Sequence, residues 1–597
     1  MLDWVSAFIA MRAAILTTLL GTLGFWVSTA VDAATNRPNF VIIMVDDAAL
    51  MDFGIYGGEA NTPHIDALAR RGAMFTQFRT SPQCAPSRAM LMTGMDNHLT
   101  GHGAIPEVLT DQQRGKPGYT MHLEPGIKSL ATRLKTLNYR TYITGKWHLG
   151  HGDGDLPDSH GFDHSFVLDA SGADNWEQKS YLPLYTDAPW FEDGKPARLP
   201  ENFYSSDFIT SQMIDYLSAD TASEQPFLAY LAYQAIHIPV QAPEEYVARY
   251  NGVYDGGWDA LRQARFANAR KIGLVPADAK LDPAHKSLRD WDQLPADQKA
   301  LLARSMQVNA GMLEAMDHHI GRLIDYLKKN KAFDNTVFVI TSDNGPEGAE
   351  PYSVPGWGLW SLMEGYERKV ETLGGRRSYV AIGPEWATAA AGPSRLFKFH
   401  ASEGGLRVPL VMAGPGVNQG QKISAFAMMT DISPTILELA TGRPPQVPEF
   451  TGRSLAPLLA GTSTVVYPPD QPVGIEVAGN AALYLGDYKL VRNLPPLGDG
   501  KWHLFNIIND PGETTDVSDA QPEKLAELTR AYQAYADRVG IVPPPEGYEV
   551  VMQIRKNSRP ILLRNYWWLL AGMLATMGLG IWLLVWAIRR LFRDRPA

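Results

Sequence analysis

The sequence predicts an α/β fold in which a mostly parallel central sheet is covered by helices on both faces. Two observations support this prediction. Short apolar runs rich in β-branched residues alternate with longer segments of helical periodicity, as in repeated strand–helix units. Hydrophobic residues make up 45% and charged residues 20% of the 597 positions, so the chain can form a large core and more than one structural unit.

The elements of the main unit follow from this pattern. Strands are predicted where apolar runs are bounded by turn-forming residues, and helices where apolar residues recur every three to four positions. The predicted strands are residues 40–45, 140–143, 227–233, 336–341 and 409–412. The predicted helices are residues 62–71, 86–95, 126–137, 205–218, 305–330 and 431–440.

A smaller unit is predicted after a stretch rich in Pro and Gly at residues 461–474. We therefore place the main unit at 35–460 and a C-terminal α/β subdomain with an antiparallel sheet at 475–547. Three prolines at 543–545 would form a stiff spacer to the segment that follows. The elements predicted in the subdomain are strands at 482–490 and 502–506 and a helix at 522–539.

The C-terminal run 566–588 contains no charged residue. As a helix it would be about 34 Å long, which is enough to cross the hydrocarbon core of a membrane. Tyr and Trp residues lie near both of its ends, as is typical of membrane interfaces. A buried core helix is the alternative, which the terminal position and the absence of charge disfavour. We therefore predict a transmembrane helix at 566–588.

Residues 1–33 have the organisation of a signal peptide: the charged Arg12, an apolar run, and small residues before Ala34. Translation could start at Met1 or at Met11, and the segment could be cleaved or kept as an anchor. Basic residues flank the C-terminal run about equally on its two sides, so they do not fix its orientation. From the leader we expect an exported, membrane-anchored protein with the main unit on the periplasmic or extracytoplasmic side.

The single cysteine of the chain, Cys84, cannot form an internal disulfide and lies in the sequence Cys84-Ala85-Pro86-Ser87-Arg88. A small buried hydrophobic residue is the ordinary alternative for a lone cysteine. The neighbouring Pro, Ser and Arg favour a chemical role instead. Pro86 suits the first position of a helix, which would put Cys84 just before an anion-binding helix N-terminus. The formal net charge of −10, with no basic stripe, argues against a nucleic-acid partner.

Polar side chains follow four predicted strands, at Asp46-Asp47, Lys146, His237 and Asp343-Asn344. The carboxyl ends of parallel strands form one edge of a sheet, and ligands bind there. The carboxylate and amide oxygens favour Ca²⁺ or Mg²⁺ over zinc or copper. Taken singly, each pair could instead cap a turn. Together they predict a metal site.

The motif around Cys84, continued by residues 89–94, resembles the signature of the type I sulfatases. Further blocks match that family in family order, and the resemblance extends from about residue 37 to about residue 520. Two regions, 241–281 and 378–405, are more similar to the long bacterial arylsulfatases. The other matching blocks are 39–47, 145–150, 235–239, 342–345 and 398–409.

The resemblance implies an alkaline-phosphatase-like fold and two cofactors. A formylglycine-generating enzyme would oxidise Cys84 to the aldehyde 3-oxoalanine (formylglycine), and a Ca²⁺ ion would bind beside it. The calcium ligands implied are Asp46, Asp47, Asp343, Asn344 and the aldehyde hydrate at position 84.

The resemblance also implies roles for the remaining site residues. Lys146 and Lys398 would hold the sulfate oxygens, and Arg88 would hold the hydrate. His148 would orient or deprotonate the attacking hydroxyl. His237 would protonate the leaving oxygen, with Lys398 as the rival for this step.

The function implied is hydrolysis of sulfate monoesters, with aryl sulfates as expected substrates and a small molecule or a glycan as the natural ester. A phosphonate or phosphate ester hydrolase is the first alternative, because related enzymes share the aldehyde and the metal site. A membrane-anchored binding protein without catalysis is the second, which the complete set of site residues disfavours.

Overall fold

The computed structural model describes residues 37–152, 154–185, 187–221 and 223–593, and the predicted signal peptide at 1–33 lies outside them. The strands are β1 (Asn39–Val45), β2 (Ala73–Phe75), β3 (Phe78–Arg79), β4 (Arg140–Lys146), β5 (His164–Leu168), β6 (Trp190–Glu192), β7 (Lys195–Pro196), β8 (Phe227–Ala232), β9 (Thr336–Ser342), β10 (Leu410–Ala413), β11 (Gln421–Ile423), β12 (Ala427–Met428), β13 (Val473–Val477), β14 (Asn480–Leu485), β15 (Tyr488–Arg492) and β16 (His503–Asn506).

The α-helices in this part of the chain are α1 (Pro63–Arg71), α2 (Cys84–Thr93), α3 (Leu130–Lys135), α4 (Ser205–Ala219), α5 (Glu244–Val247), α6 (Gly257–Ile272), α7 (Ala296–Lys329), α8 (Trp357–Met363), α9 (Gly383–Ala391), α10 (Glu403–Leu406), α11 (Ile432–Thr441), α12 (Ala456–Leu459), α13 (Pro522–Val539) and α14 (Val550–Arg593).

The predicted fold class is confirmed. Ten strands form one sheet in the order β11-β2-β10-β9-β1-β8-β4-β5-β6-β7. The five central strands β9, β1, β8, β4 and β5 are parallel, so their carboxyl ends meet at one edge. The predicted strand at 409–412 forms as β10, which runs antiparallel to β9.

Strand β1 shows why the sheet is buried on both faces. All seven of its residues are buried, and its side chains alternate between the two large core clusters of the main unit. Val41, Ile43 and Val45 belong to one cluster, while Phe40 and Ile42 belong to the other. A continuous apolar run is therefore the expected sequence for a central parallel strand.

Three predicted helices form with different ends. The helix predicted at 126–137 covers only Leu130–Lys135, and the one predicted from 305 begins earlier, at Ala296. The helix predicted at 86–95 begins two residues earlier, at Cys84, so Pro86 is its third residue and not its first. Proline is tolerated throughout the first turn, because those N–H groups have no helical acceptor.

The prediction of one strand at 482–490 is wrong. The segment forms a hairpin in which β14 pairs antiparallel with β15, and Leu485 lies opposite Tyr488. The two residues between them are Gly486 and Asp487, and Gly486 has a φ of 58°. A two-residue hairpin turn of this kind requires positive φ, which glycine adopts without strain.

The subdomain sheet has the order β13-β14-β15-β16 and is antiparallel, as predicted. Helix α13 packs on it through Leu528, Tyr532 and Tyr535.

Helix α14 has two different halves, which meet at a kink at Tyr566. In the first half, Gln553 and Asn557 donate hydrogen bonds to the carbonyl of Leu109 in the main unit, at 3.0 and 2.9 Å. In the second half, the 20 residues Ala571–Arg590 are long and apolar enough to cross a membrane, and none of the most apolar window is buried.

Candidate active site

The candidate site lies at the carboxyl edge of the central strands. Asp46 and Asp47 follow β1, and the N–H of Asp343, directly after β9, donates to the carbonyl of Val45 at 3.1 Å. Cys84 begins α2, and its Sγ lies 3.6 Å from Asp46 Oδ1. One ligand atom each from Asp46, Asp47, Cys84 and Asp343 lies within 4.8 Å of the others. The sheet thus brings together four residues that are up to about 300 positions apart.

Each carboxylate of this cluster is paired with a different cation. Lys146 Nζ donates to Asp46 Oδ2 at 2.6 Å, and Lys398 Nζ forms an ion pair with Asp47 Oδ1 at 2.7 Å. The charges are all buried, so each pair compensates a desolvation penalty that would otherwise be large.

Arg88 pairs with the third carboxylate, that of Asp343. Arg88 donates to Asp343 Oδ2 from Nη2 at 2.7 Å and from Nε at 2.9 Å, and its Nη1 donates to the carbonyl of Lys146 at 3.0 Å. It is completely buried. Arg88 therefore ties the end of β4 to the end of β9.

The residues present fit a hard divalent cation. Asp47 Oδ2 and Asn344 Oδ1 are buried oxygens without a hydrogen-bond partner in the described part of the chain. Asn344 Nδ2 donates to Asp47 Oδ1 at 2.6 Å, which leaves its Oδ1 available as a ligand. Burial raises the pKa of Asp47 to about 8, an effect that Lys398 only partly offsets. A divalent cation would satisfy both oxygens and keep Asp47 ionised.

Asp46 differs from Asp47 in its balance of charges. Burial alone would raise the pKa of Asp46, but Lys146, Arg88 and Lys398 together outweigh it and hold the pKa below its usual value. Asp46 is therefore an anion with or without a bound metal.

Cys84 is a poor nucleophile as a thiol. Its Sγ lies 3.6 Å from Asp46 Oδ1, and the residue is 3% exposed. Burial, followed by the charge of Asp343, raises the pKa of the thiol well above its usual value. Reactive cysteines normally have a lowered pKa, so this position is not built to activate sulfur itself.

Both candidate histidines are buried and neutral. Burial, followed by Lys146, lowers the pKa of His148 and of His237 well below the usual range. His237 Nδ1 is 2.6 Å from the carbonyl of Ile238, so Nδ1 carries the proton and Nε2 faces the cluster, 3.9 Å from Asp47 Oδ2. Nε2 of His237 is therefore free to exchange a proton with a ligand.

His148 is the one candidate whose side chain has neither a hydrogen bond nor an ion pair in the described part of the chain. Neither of its ring nitrogens has a partner there, although both are buried. It has a φ of 59°, and Asp47 has one of 69°. Such left-handed conformations are strained for residues other than glycine and are common at functional sites.

Two further residues of the site had no role assigned from the sequence: Glu347 was not singled out, and Ser87 was named only as part of the motif around Cys84. Glu347 Oε2 forms an ion pair with Lys398 Nζ at 3.0 Å, and Glu347 groups with Asp47 and His237 as a set of possible metal ligands. Its position three residues after Asn344 was the available signal. Ser87 Oγ accepts from the N–H of Ser81 at 3.1 Å and thus fixes the loop that precedes Cys84. A single serine in a motif does not reveal such a loop contact.

Comparison with known proteins identifies relatives over most of the chain. The family model described as Sulfatase matches residues 38–442. The chain is 34% identical over 543 residues to an uncharacterized sulfatase of Schizosaccharomyces pombe, covering 86% of this chain and 96% of that protein. It is also 34% identical over 417 residues to an arylsulfatase of Klebsiella aerogenes, covering 68% of this chain and 88% of that one.

Solved structures share the fold. Ps i-CgsB in complex with k-i-k-neocarrahexaose superposes with a TM-score of 0.61 at 24% identity, covering 88% of this chain and 97% of that chain. A structure described as BT4656 in complex with its substrate D-Glucosamine-2-N, 6-O-disulfate gives a TM-score of 0.55 at 21% identity, covering 86% and 100%. At these identities the likeness supports the α/β architecture and nothing finer.

Proposed function

This chain belongs to the sulfatase family of sulfuric ester hydrolases, and we propose that it is an arylsulfatase that uses a formylglycine hydrate at position 84 and a bound Ca²⁺ ion. One observation supports the formylglycine and calcium parts of this proposal. Cys84 lies buried among three carboxylates and three cations, in a place that suppresses thiol chemistry but suits an anionic ester and a divalent ion.

The aldehyde explains what a buried cysteine could contribute. Its hydrate would supply two hydroxyls on one carbon, one to attack sulfur and one whose deprotonation releases sulfate and restores the aldehyde. A plain thiol or hydroxyl offers no such internal release. We infer that a formylglycine-generating enzyme of the host makes this modification.

The calcium ion would be held by Asp46, Asp47, Asp343, Asn344 and the aldehyde hydrate at position 84. Two of these residues contribute the unsatisfied buried oxygens, and the all-oxygen set matches the preference of Ca²⁺. When bound, the ion would add positive charge where the sulfate oxygens become more negative.

The cations of the site would bind and orient the ester. Lys146 and Lys398, both already aimed at the cluster, would stabilise negative charge on the sulfate oxygens in the transition state. Arg88 would hold Asp343 and position 84 in place. His148, neutral at physiological pH, can accept the proton of the attacking hydroxyl.

His237 remains our choice for the group that protonates the leaving oxygen. Its Nε2 faces the cluster, but the lowered pKa means that it must gain its proton when the anionic ester binds. Lys398 is the rival for this step. Burial alone would lower the pKa of Lys398, but Asp47 and other nearby anions outweigh this effect and raise the pKa. A lysine with a raised pKa is a weaker acid than a protonated histidine, which is why we favour His237.

We also propose that the protein is exported and anchored by the second half of α14. The residues 35–460 would then form the extracytoplasmic catalytic domain and 475–547 a subdomain beside it. The exposed apolar surface of Ala571–Arg590 supports this arrangement, since it would be unfavourable in water.

Two measurements test the proposed chemistry. The mass of a peptide spanning Cys84, from protein made in its native host, should be that of an aldehyde or its hydrate. Cys84→Ala should reduce turnover of an aryl sulfate by at least about 10⁴-fold with an unchanged melting temperature, as expected for loss of a nucleophile.

The alternative outcomes are distinct. An ordinary thiol at position 84 in fully active protein would refute the aldehyde. A large preference for an aryl phosphonate over the matching aryl sulfate would favour a phosphonate ester hydrolase instead.

A further inference from the structure

Helix α8 carries an exposed apolar surface. Leu359, Leu362 and Met363 are 60%, 69% and 38% exposed. The opposite side of the same short helix is buried, with Trp357 and Trp360 packed against each other at a ring-centroid distance of 4.8 Å. The buried tryptophans hold the helix in place, so the three outer side chains are not needed for folding. Exposed large apolar residues grouped in this way usually mark a contact surface.

This surface is continuous with the point at which α14 becomes apolar. Trp360 Nε1 donates to the Tyr566 hydroxyl at 3.0 Å, and that hydroxyl donates to Glu364 Oε1 at 3.3 Å. Tyr566 is the kink between the docked and the exposed halves of α14. The next residues, Trp567 and Trp568, are 64% and 53% exposed. Helix α8 therefore lies at the level where the chain would enter the membrane.

We propose that Leu359, Leu362 and Met363 form a second membrane contact that inserts into the bilayer interface beside α14. Arg559 and Arg564 are exposed on the last turns before the kink, where they can meet anionic headgroups. An apolar surface flanked by arginine is typical of segments that lie in the membrane interface.

The α8 segment is connected to the catalytic site. Tyr366, just after α8, donates from its hydroxyl to the carbonyl of Ser180 at 2.9 Å. The next residue, Tyr181, packs edge-on against His237 with 5.3 Å between ring centroids. The side chains of Tyr366 and Tyr181 thus connect the proposed membrane contact to the imidazole of His237.

The docked half of α14 reaches the same side of the site. Asn557 donates to the carbonyl of Glu107 at 3.0 Å, and the carboxylate of Glu107 accepts from Ser171 Oγ at 3.0 Å. Ser171 Oγ is in turn 2.6 Å from the hydroxyl of Tyr181. Both elements that would touch the bilayer therefore converge on Tyr181 and His237.

This placement indicates a substrate class, and the step rests on the proposed function. If His237 protonates the leaving oxygen, the alcohol part of the ester lies on the side of the site that faces the membrane. We expect that alcohol to be hydrophobic and to reside in the bilayer, with the sulfate reaching inward to the cations. The substrates would be amphiphilic sulfate esters, and soluble aryl sulfates would be reporters of the same chemistry.

The membrane contact can be measured directly. In the full-length chain, the variant Leu362→Cys is labelled with an environment-sensitive fluorophore, since the buried Cys84 should not react. The protein is reconstituted into vesicles of phosphatidylcholine and phosphatidylglycerol, with and without brominated acyl chains. We expect the brominated lipids to quench the label at position 362.

A matched control is a label introduced through Val465→Cys, at a position that is 58% exposed in the loop after α12. It should not be quenched. Equal quenching at both positions, or none at 362, would overturn the membrane contact. Disulfide-linked dimers of the unlabelled Leu362→Cys variant, together with an absence of quenching, would show that a second copy covers α8 and would also overturn it.

Activity tests the substrate class. The variant Leu359→Ser/Leu362→Ser should lose about tenfold in kcat/KM on a long-chain alkyl sulfate in vesicles, because it removes apolar contact with the bilayer. It should keep the wild-type rate on a soluble aryl sulfate. The control Val465→Ser should keep both rates.

The outcomes separate this inference from the proposed function. If the wild-type protein hydrolyses the soluble ester and Leu359→Ser/Leu362→Ser hydrolyses both esters at the wild-type rates, the inference is wrong and the sulfatase chemistry stands. If the wild-type protein hydrolyses neither ester, the proposed function fails and the substrate class fails with it. The quenching result decides the membrane contact in either case.

Discussion

Two buried clusters of opposite charges differ in whether their oxygens are satisfied. In the candidate site, Asp47 Oδ2 and Asn344 Oδ1 have no hydrogen-bond partner among the described residues. The second cluster is centred on Glu403, and we call it the Glu403 cluster. Its members are Arg79, Glu403, Tyr484, Lys489 and Glu513.

Every carboxylate oxygen of the Glu403 cluster has a donor. Glu403 Oε1 accepts from Tyr484 at 2.7 Å and from Lys489 at 2.9 Å, and its Oε2 accepts from Arg79 at 2.8 Å. Glu513 accepts from Lys489 at 2.7 Å and from the N–H of Glu403 at 3.2 Å. This cluster joins the main unit to the subdomain sheet.

This difference indicates that the Glu403 cluster stabilises the fold, whereas the candidate site binds groups from outside the protein. Burial of a polar atom without a partner costs free energy, so a fold keeps such atoms only where something else compensates them. The Glu403 cluster is complete within the protein. The candidate site is incomplete, and a cation and an anionic ester are the partners that its chemistry fits.

The largest effect is expected at the incomplete cluster. Asp47→Asn keeps the shape of the side chain but removes the charge that a divalent ion needs. We expect calcium stoichiometry to fall from one to none and aryl sulfate turnover to fall by about 100-fold or more. Calcium analysis of the purified variant and steady-state kinetics measure both.

Thermal unfolding gives an independent reading of the same variant. Calcium at about 100 times its dissociation constant should stabilise the wild-type protein by about 2.7 kcal/mol, and this gain should be absent in Asp47→Asn. A variant that still binds one calcium ion and is stabilised by it would show that Asp47 is not a ligand.

The second prediction applies the same isosteric change to the complete cluster. Glu403→Gln leaves Arg79 and Lys489 buried with too little negative charge, which should cost about 3–5 kcal/mol of folding free energy. The loss should be the same with and without calcium, as measured by thermal unfolding. The folded fraction should still bind calcium. If calcium rescued Glu403→Gln, the two clusters would not be independent.

Sequence reasoning predicted the fold class and the edge of the sheet at which several candidate residues meet, but it missed details of the fold. Asp46, Asp343 and Lys146 could be placed because they directly follow apolar strands, and parallel strands bring their carboxyl ends together. Residues 482–490, which belong to both arms of the hairpin, were predicted as one strand because most of them are apolar and only Gly486 marks the turn.

The charge partners could not be predicted, for a physical reason. Glu403 lies within a block that matched the sulfatase family, yet its role depends on Arg79 and Lys489, which are far away in the sequence. Propensity and periodicity describe neighbours along the chain, whereas ion pairs depend on side-chain positions in three dimensions. The docking of the first half of α14 on the main unit was missed for the same reason.

A further buried charged group, His98, lies at the boundary with the subdomain. Its protonation makes the stability of this boundary depend on pH. Its Nε2 is 2.8 Å from Glu476 Oε2 in β13, and its Nδ1 is 3.2 Å from Asp96 Oδ1. Tyr535 of α13 donates to the other oxygen of Asp96 at 2.7 Å. Burial alone would lower the pKa of His98, but Asp96 and Glu476 outweigh it and raise the pKa to about 9.

The smallest predicted effect follows from this shift. The folded protein holds the His98 proton more tightly than the unfolded chain, whose pKa is near 6.5. The contribution of His98 to stability, on the order of 3 kcal/mol, is therefore complete below pH 6.5 and is lost as the pH rises through about 9. His98→Gln should lower stability at pH 6 and flatten its dependence on pH up to 9, as measured by denaturant unfolding. An unchanged slope in His98→Gln would mean that the boundary between the two units does not depend on this proton.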